Sequence, residues 1–168
     1  MTTRIILIGD THLPRFGRTL PAPLSEALRT ADRILHAGDH TEPFVVDMLE
    51  GFAQTDAVAG NNDPPELVER LGLTRTVAVE AVRIGLTHGH LGRGRATPER
   101  AVNTFTGTQP SVHAIAFGHS HQPMVERRNG VLLLNPGSPT DRRSQPAFSF
   151  LRLTVHGSVL DPELITYR

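Results

Sequence analysis

The chain has 168 residues, with 17 basic and 17 acidic side chains and a formal net charge of zero. That balance excludes global charge as a basis for binding nucleic acid or an acidic membrane surface. The absence of cysteine excludes disulfides, thiolate metal sites and cysteine nucleophiles.

The length suits one domain with a sizeable core, expected to span 1–168. Near the amino terminus the apolar run is Ile5-Ile6-Leu7-Ile8, too short for a signal peptide. No window approaches the roughly 20 apolar residues of a membrane span. A cytoplasmic protein is expected. The nine histidines are the oddity of the composition, because several stand in tight pairs beside Gly, Asp or Asn.

Residues 4–8 read as a buried strand ended by Gly9. Residues 21–30 contain a short helix, with Leu24, Ala27 and Leu28 on one face and Ser25 near its start. A second strand over 33–36 ends in Ala37-Gly38-Asp39, and 42–50 is helical in its spacing of Phe44, Val45, Met48 and Leu49. A third strand over 57–59 ends in Gly60-Asn61-Asn62-Asp63, and Pro64 and Pro65 suit the first turn of a helix reaching Leu71. Strands alternating with helices predict a parallel α/β layer. Ligands of such layers bind outside the carboxyl ends of the strands. The three polar loops should therefore lie side by side.

The second half changes pattern. Residues 76–79 and 82–86 predict strands joined by a tight turn, and 97–105 a helix capped by Thr97 with Pro98 at its first position. Residues 114–117 predict a strand ending in Gly118-His119-Ser120-His121. A hairpin over 124–126 and 131–134 turns at Asn129-Gly130. Two more strands follow at 148–155 and 159–165. The expectation is a second, mainly antiparallel sheet packed on the first.

Five polar clusters follow apolar runs: Asp10-Thr11-His12, Gly38-Asp39-His40, Gly60-Asn61-Asn62-Asp63, Thr87-His88-Gly89-His90 and Gly118-His119-Ser120-His121. In an extended segment residues i and i+2 share a side, which would pair Asp10 with His12 and His119 with His121. Carboxylate, imidazole and amide oxygen together suit Mn, Fe, Ni, Co or Zn. Asp39 is the natural bridge between two cations, since its loop lies between the others in the sheet order. Any one Gly-Asp or Gly-Asn pair is more often an ordinary turn. Five such clusters at strand ends in one short chain are not explained by turns alone.

The ordered set D-x-H, GD, GN-x-D, HGH and GH-x-H resembles the calcineurin-like metallophosphoesterases, in their small bacterial and archaeal phosphodiesterase branch. The resemblance runs from Ile5 to the strands beyond Asn135-Pro136-Gly137-Ser138. It implies an α/β fold of two packed β-sheets flanked by helices, and a hydrolase with two divalent metal ions. Matching motif by motif, it implies Asp10, His12, Asp39 and His121 on one metal and Asp39, Asn61, His88 and His119 on the other. His90 is left near the substrate or behind the metal ligands.

The implied reaction is direct attack on phosphorus by metal-bound hydroxide, without a covalent enzyme intermediate. Larger relatives carry a His after the ligand Asn to protonate the leaving group. Here that catalytic position is Asn62, whose amide cannot act as an acid at neutral pH. The expectation is a preference for good leaving groups, or acid help from His90 or water.

Arg93 and Arg95 could grip a phosphate, or belong to a solvated loop; Arg142 and Arg143 could border the same pocket. The expected partner is a small phosphodiester or phosphate ester. Small size, neutral charge and few aromatics disfavour a nucleic-acid polymer. The resemblance also allows a homo-oligomer. The rival expectation is a non-catalytic binding module, because the retromer subunit resembling this family looks like a scaffold that lacks part of the ligand and catalytic set.

Overall fold

Both faces of the first strand are apolar, and both are buried. A computed structural model describes residues 1–168, and in it β1 (Thr3–Ile8) sits inside a five-stranded sheet. Ile5 and Leu7 face a core shared between two sheets. Ile6 and Ile8 face outward onto Leu24 and Leu28 of α1 (Ala22–Leu28) and Val45 and Leu49 of α2 (Pro43–Glu50). Such alternation, apolar on both sides, marks a strand covered on both sides.

The first sheet continues through β2 (Arg33–His36) and β3 (Gln54–Ala57), both parallel to their neighbours, as the βαβ pattern requires. The third strand lies earlier than its apolar residues suggest. Val58 and Ala59 are buried beyond its end, while its polar half pairs at the edge, where Asp56 meets Arg33 at 2.7 Å and Arg75 at 3.1 Å. After it, α3 (Pro65–Leu71) begins directly behind Pro64.

The second sheet has the order β4 (Thr74–Val79), β5 (Val82–Thr87), β6 (Ala114–Ala116), β8 (Val131–Asn135), β7 (Met124–Arg128). It is mixed and not mainly antiparallel as expected. The crossover through α4 (Thr97–Phe105) returns the chain so that β6 runs parallel to β5, and β8 is in turn parallel to β6. Thr97 is the first helical residue and no side chain caps this helix; Pro98 therefore stands one place further in than expected. The β7–β8 hairpin turns at Asn129 (φ 49°) and Gly130 (φ 81°), the backbone of a tight two-residue loop.

A further correction concerns the last two strands. β9 (Phe148–His156) and β10 (Val159–Tyr167) join the first sheet, with β9 antiparallel to β1 and Ile5 opposite Leu153. Leu151, Leu153 and Val155 thereby complete the inter-sheet core. On the outer face of the second sheet, Ile115, Phe117 and Leu133 pack on Ala101 and Phe105 of α4. The result is an α/β sandwich of two sheets with helices outside. The carboxyl ends of β1, β2, β5 and β6 open toward one rim, where loop backbones continue the pairing: Asp10 N–H donates to Gly38 O at 2.9 Å, and Gly118 N–H to His88 O at 3.0 Å.

Candidate metal centre

Three strands along the rim, β1, β2 and β5, lead into a residue that is polar yet buried. Asp10, Asp39 and His88 are at most 1% exposed. The backbone that presents them is not extended. Asp10, His12, Asp39, His119 and His121 all have positive φ, between 46° and 68°. The expectation that residues i and i+2 share a side of an extended segment is corrected accordingly. Left-handed Asp and His are tolerated better than most side chains, yet each still costs about 1–3 kcal/mol unless its surroundings hold it.

The consequences differ for the two pairs. Asp10 and His12 do come together, joined by His121, with one ligand atom of each within 4.8 Å of the others. His119 and His121 part: His119 Nδ1 lies 3.3 Å from His88 Nε2, whereas His121 Nε2 lies 3.5 Å from Asp10 Oδ1 and 3.4 Å from His12 Nε2. A second group, Asp10, Asp39 and His88, meets the same 4.8 Å limit. Asp39 Oδ2 stands 3.6 Å from His12 Nε2 and 3.3 Å from His88 Nε2.

Close approach explains the glycines. A Cβ on Gly60 would stand 2.9 Å from Asp39 Cγ, and one on Gly118 2.7 Å from Asp10 Oδ2. Any side chain at either place would displace a carboxylate.

Two imidazoles have their outer nitrogens fixed. His88 Nδ1 donates to the Ala37 carbonyl at 2.7 Å, and His121 Nδ1 to the Asp141 carbonyl at 2.6 Å. In the neutral rings Nε2 then carries a lone pair aimed into the cluster, the arrangement usual for metal-binding histidine. Asp10 Oδ1 is buried and has no hydrogen-bond partner. An orphaned carboxylate oxygen faced by imidazole lone pairs is costly by itself and is resolved by a cation. The donor set thus fits divalent ions with nitrogen and oxygen ligands.

Electrostatics without a cation point the same way. Burial pushes the Asp10 carboxyl up to about 7, partly offset by His88. Burial also opposes ionisation of Asp39, but His88 and the Asn62 N–H and amide outweigh it and hold that carboxyl below its usual range. His88 is raised, because its bond to Asp39 and the charges of both carboxylates overcome burial. Burial lowers His12 and His121, and burial with His88 brings His119 down to about 4. Neutral imidazoles at His12, His119 and His121, and protons favoured on Asp10 and His88 that a cation would displace, suit metal capture near pH 7.

A calcineurin-like phosphoesterase superfamily domain matches residues 3–158. The chain belongs to that superfamily. A probable metallophosphoesterase of the archaeon Methanothermobacter thermautotrophicus is 35% identical over 95% of this chain and 90% of its own. Among solved structures, Vps29 of Chaetomium thermophilum superposes with a TM-score of 0.80 at 20% identity, covering 98% of both chains. Vps29 of Entamoeba histolytica, solved with Zn2+, gives 0.77 at 23% identity, covering 98% of this chain and 99% of that one.

Within this calcineurin-like site the remaining candidates sit as follows. Asn62 donates its side-chain amide to Asp39 Oδ2 at 2.8 Å and its backbone N–H to Oδ1 at 2.9 Å, so it grips both oxygens of that carboxylate. Asn61 is exposed and its side chain makes no hydrogen bond. His90 is half-buried, 5.4 Å from His88 between ring centroids, with Nδ1 buried and unpartnered. Arg93 and Arg95 are exposed; backbone atoms anchor their loop, with Asn103 bonding Arg93 O and Glu99 the Arg95 N–H.

Four contributors were given no role by the sequence reading, although Ser138 ends a loop that the resemblance matched to one near the metals. Asp63 accepts the N–H groups of Asp39 (2.9 Å), Gly60 (2.8 Å) and Thr41 (2.7 Å) and His40 Nδ1 (3.1 Å). Its place as the last residue of GN-x-D was the available signal. The others are the Asp141 carbonyl, which no motif marks, and Ser138 and Thr140, which bond the carbonyls of Asp10 (2.8 Å) and Thr11 (2.6 Å). No helix is long and apolar enough to cross a membrane.

Proposed function

We propose that this chain is a dinuclear-metal phosphoesterase, foremost a phosphodiesterase of small substrates. It would act as a single domain in the cytoplasm. The observation that carries this is the position of Asp39 Oδ2, 3.6 Å from His12 Nε2 and 3.3 Å from His88 Nε2, beside Asp10, which both ligand groups share. In this proposal Asp10, His12, Asp39 and His121 hold one cation. Asp39, Asn61, His88 and His119 hold the other, with Asp39 shared. Mn, Ni, Co, Fe and Zn all suit these ligands. The superfamily match and the archaeal relative support the chemistry at the level of a metallophosphoesterase.

When bound, the cations lower the pKa of water and neutralise charge developing on the phosphoryl oxygens. The chain's own residues would do the rest. Asn62 keeps both Asp39 oxygens in place, so the shared carboxylate cannot rotate away. The outer bonds of His88 and His121 fix which nitrogen faces inward. Burial and the nearby His88 hold His90 below the ordinary imidazole value. A neutral His90 would therefore orient a substrate oxygen more readily than protonate a leaving group. With Asn62 unable to donate a proton at neutral pH, substrates with good leaving groups are turned over fastest.

The experiment is hydrolysis of bis-p-nitrophenyl phosphate by chelator-stripped protein reloaded with Mn, Ni, Co, Zn or Mg, beside Asp39→Asn. Metal-dependent turnover that the variant loses establishes the activity. Absence of turnover with every metal, in protein shown to be folded and loaded, transfers the assignment to a binding module.

A further inference from the structure

The sequence treats Arg142 and Arg143 alike, and the structure separates them. Arg142 is committed: its Nη1 donates to Gln145 O at 2.6 Å and its guanidinium lies 5.8 Å over the Phe148 ring. Arg143 makes no hydrogen bond through its guanidinium. Its nearest partner is the Asp141 carboxylate, 3.8 Å from Nε, and 54% of its side chain is exposed. The same Asp141 oxygen lies 3.8 Å from His121 Nδ1. One carboxylate thus stands between Arg143 and a candidate ligand.

The segment that carries Arg143 is fastened to the site. Ser138 Oγ donates to Asp10 O and receives the Asp141 N–H at 2.8 Å; Thr140 Oγ1 donates to Thr11 O; Asp141 O receives His121 Nδ1. Gln145 N–H donates to Arg142 O at 2.9 Å and closes the turn, in which Arg143 has φ 49°. A non-glycine residue in the left-handed region persists where its surroundings impose it, and such strain gathers at functional sites.

Asp141 offsets part of the repulsion that two cations would exert on this guanidinium, and an anion bound beside them would offset the rest. Five unused donors in a planar fork match a phosphate better than an ammonium would. Building on the phosphoesterase assignment, we propose that Arg143 is the substrate-binding residue that takes a non-bridging oxygen of the phosphoryl group, in the role the sequence offered to Arg93 and Arg95.

The test measures binding of inorganic phosphate to Mn-loaded protein by titration calorimetry. Wild type, Arg143→Ala, Arg143→Lys and Arg142→Ala are compared, with the Mn content of each determined. Arg143→Ala should bind phosphate about 10- to 100-fold more weakly at undiminished Mn content, the scale of a charge-assisted hydrogen bond. Arg143→Lys should recover part of the loss, and Arg142→Ala should match wild type. For bis-p-nitrophenyl phosphate the loss should fall mainly on KM. Phosphate affinity unchanged in Arg143→Ala overturns the proposal, as does a wild type that holds Mn without binding phosphate. Arg143-dependent phosphate binding in a wild type that turns nothing over supports Arg143 and sinks the catalytic assignment alone.

Discussion

His88 donates from Nδ1 to the carbonyl oxygen of Ala37, 2.7 Å away, and this bond turns its Nε2 to within 3.3 Å of Asp39. Ala37 follows β2 and His88 follows β5, so a single hydrogen bond across the two sheets sets a candidate ligand's direction. Replacing His88 with Gln should lower bound cation by about one per chain and cut turnover by at least about a hundredfold, the upper end of losses from disturbing a metal ligand's support. Metal analysis of the purified variant decides it. Wild-type stoichiometry and wild-type rate together would remove His88 from the centre.

Gly60→Ala tests the close approach beneath Asp39. Its Cβ would meet the Asp39 carboxylate and stand 2.6 Å from the Asp39 backbone nitrogen. Neither neighbour can yield without disturbing the bonds that Asn62 and Asp63 make there. Overpacking of this kind costs about 1–3 kcal/mol. Thermal unfolding should show that loss, and cation affinity should fall with it. A variant as stable and as active as wild type would show that the loop relaxes freely.

The fold was legible where local patterning decides it. The parallel layer up to α3 follows from strands ended at once by polar Gly-containing loops, and β2 falls where its apolar run predicts. What escaped depends on distant pairing. Nothing local tells β9 to lie against β1, since Leu151, Leu153 and Val155 would suit either sheet. The mixed second sheet has the same origin, because the direction of β6 is set by a crossover and not by its own three residues. At the site, residue types were legible because buried Asp and His after apolar runs are rare. The directions of His119 and His121 were not, because left-handed backbone replaces the extended geometry assumed for them.

Asp63 shows what a motif can hide. Its side chain is fully buried and accepts three backbone N–H groups and His40. Burial opposes its ionisation, but His40 and the N–H groups of Gly60 and Thr41 outweigh this and hold its carboxyl below the ordinary value of 3.8. The stabilisation it gives is present above that value and is lost as pH falls through its lower folded-state value. Asp63→Asn turns an acceptor into a donor facing a donor, and should cost about 1.5–3 kcal/mol or more near pH 7. Urea unfolding at pH 7 reads this directly. A loss under about 0.5 kcal/mol would mean that the N–H groups find other acceptors.

His36 gives the protein an acid-sensitive element behind the candidate metal centre. It is buried at the end of β2, stacked on His40 with ring centroids 3.7 Å apart. Gly38 N–H donates to its Nδ1 at 3.1 Å, so the proton of the neutral ring is on Nε2, which reaches Thr11 Oγ1 at 3.1 Å. Burial first, then the neighbouring His40 and His88, hold it well below the ordinary 6.5. The unfolded chain takes a proton below that pH which the folded one refuses. Its effect on stability is therefore flat above about 6.5, and stability falls as pH drops further, by up to about 1.4 kcal/mol per pH unit for one proton. Other lowered histidines act in the same direction, and Asp10 and His88, both raised, act against them, so the comparison must be between variants. His36→Gln keeps a polar side chain without a titrating ring. Its stability should vary less steeply than wild type between pH 6.5 and 5 in metal-free protein, whatever its offset at pH 7. Denaturant unfolding across that range supplies both curves; parallel curves would show that His36 takes up its proton without unfolding the chain.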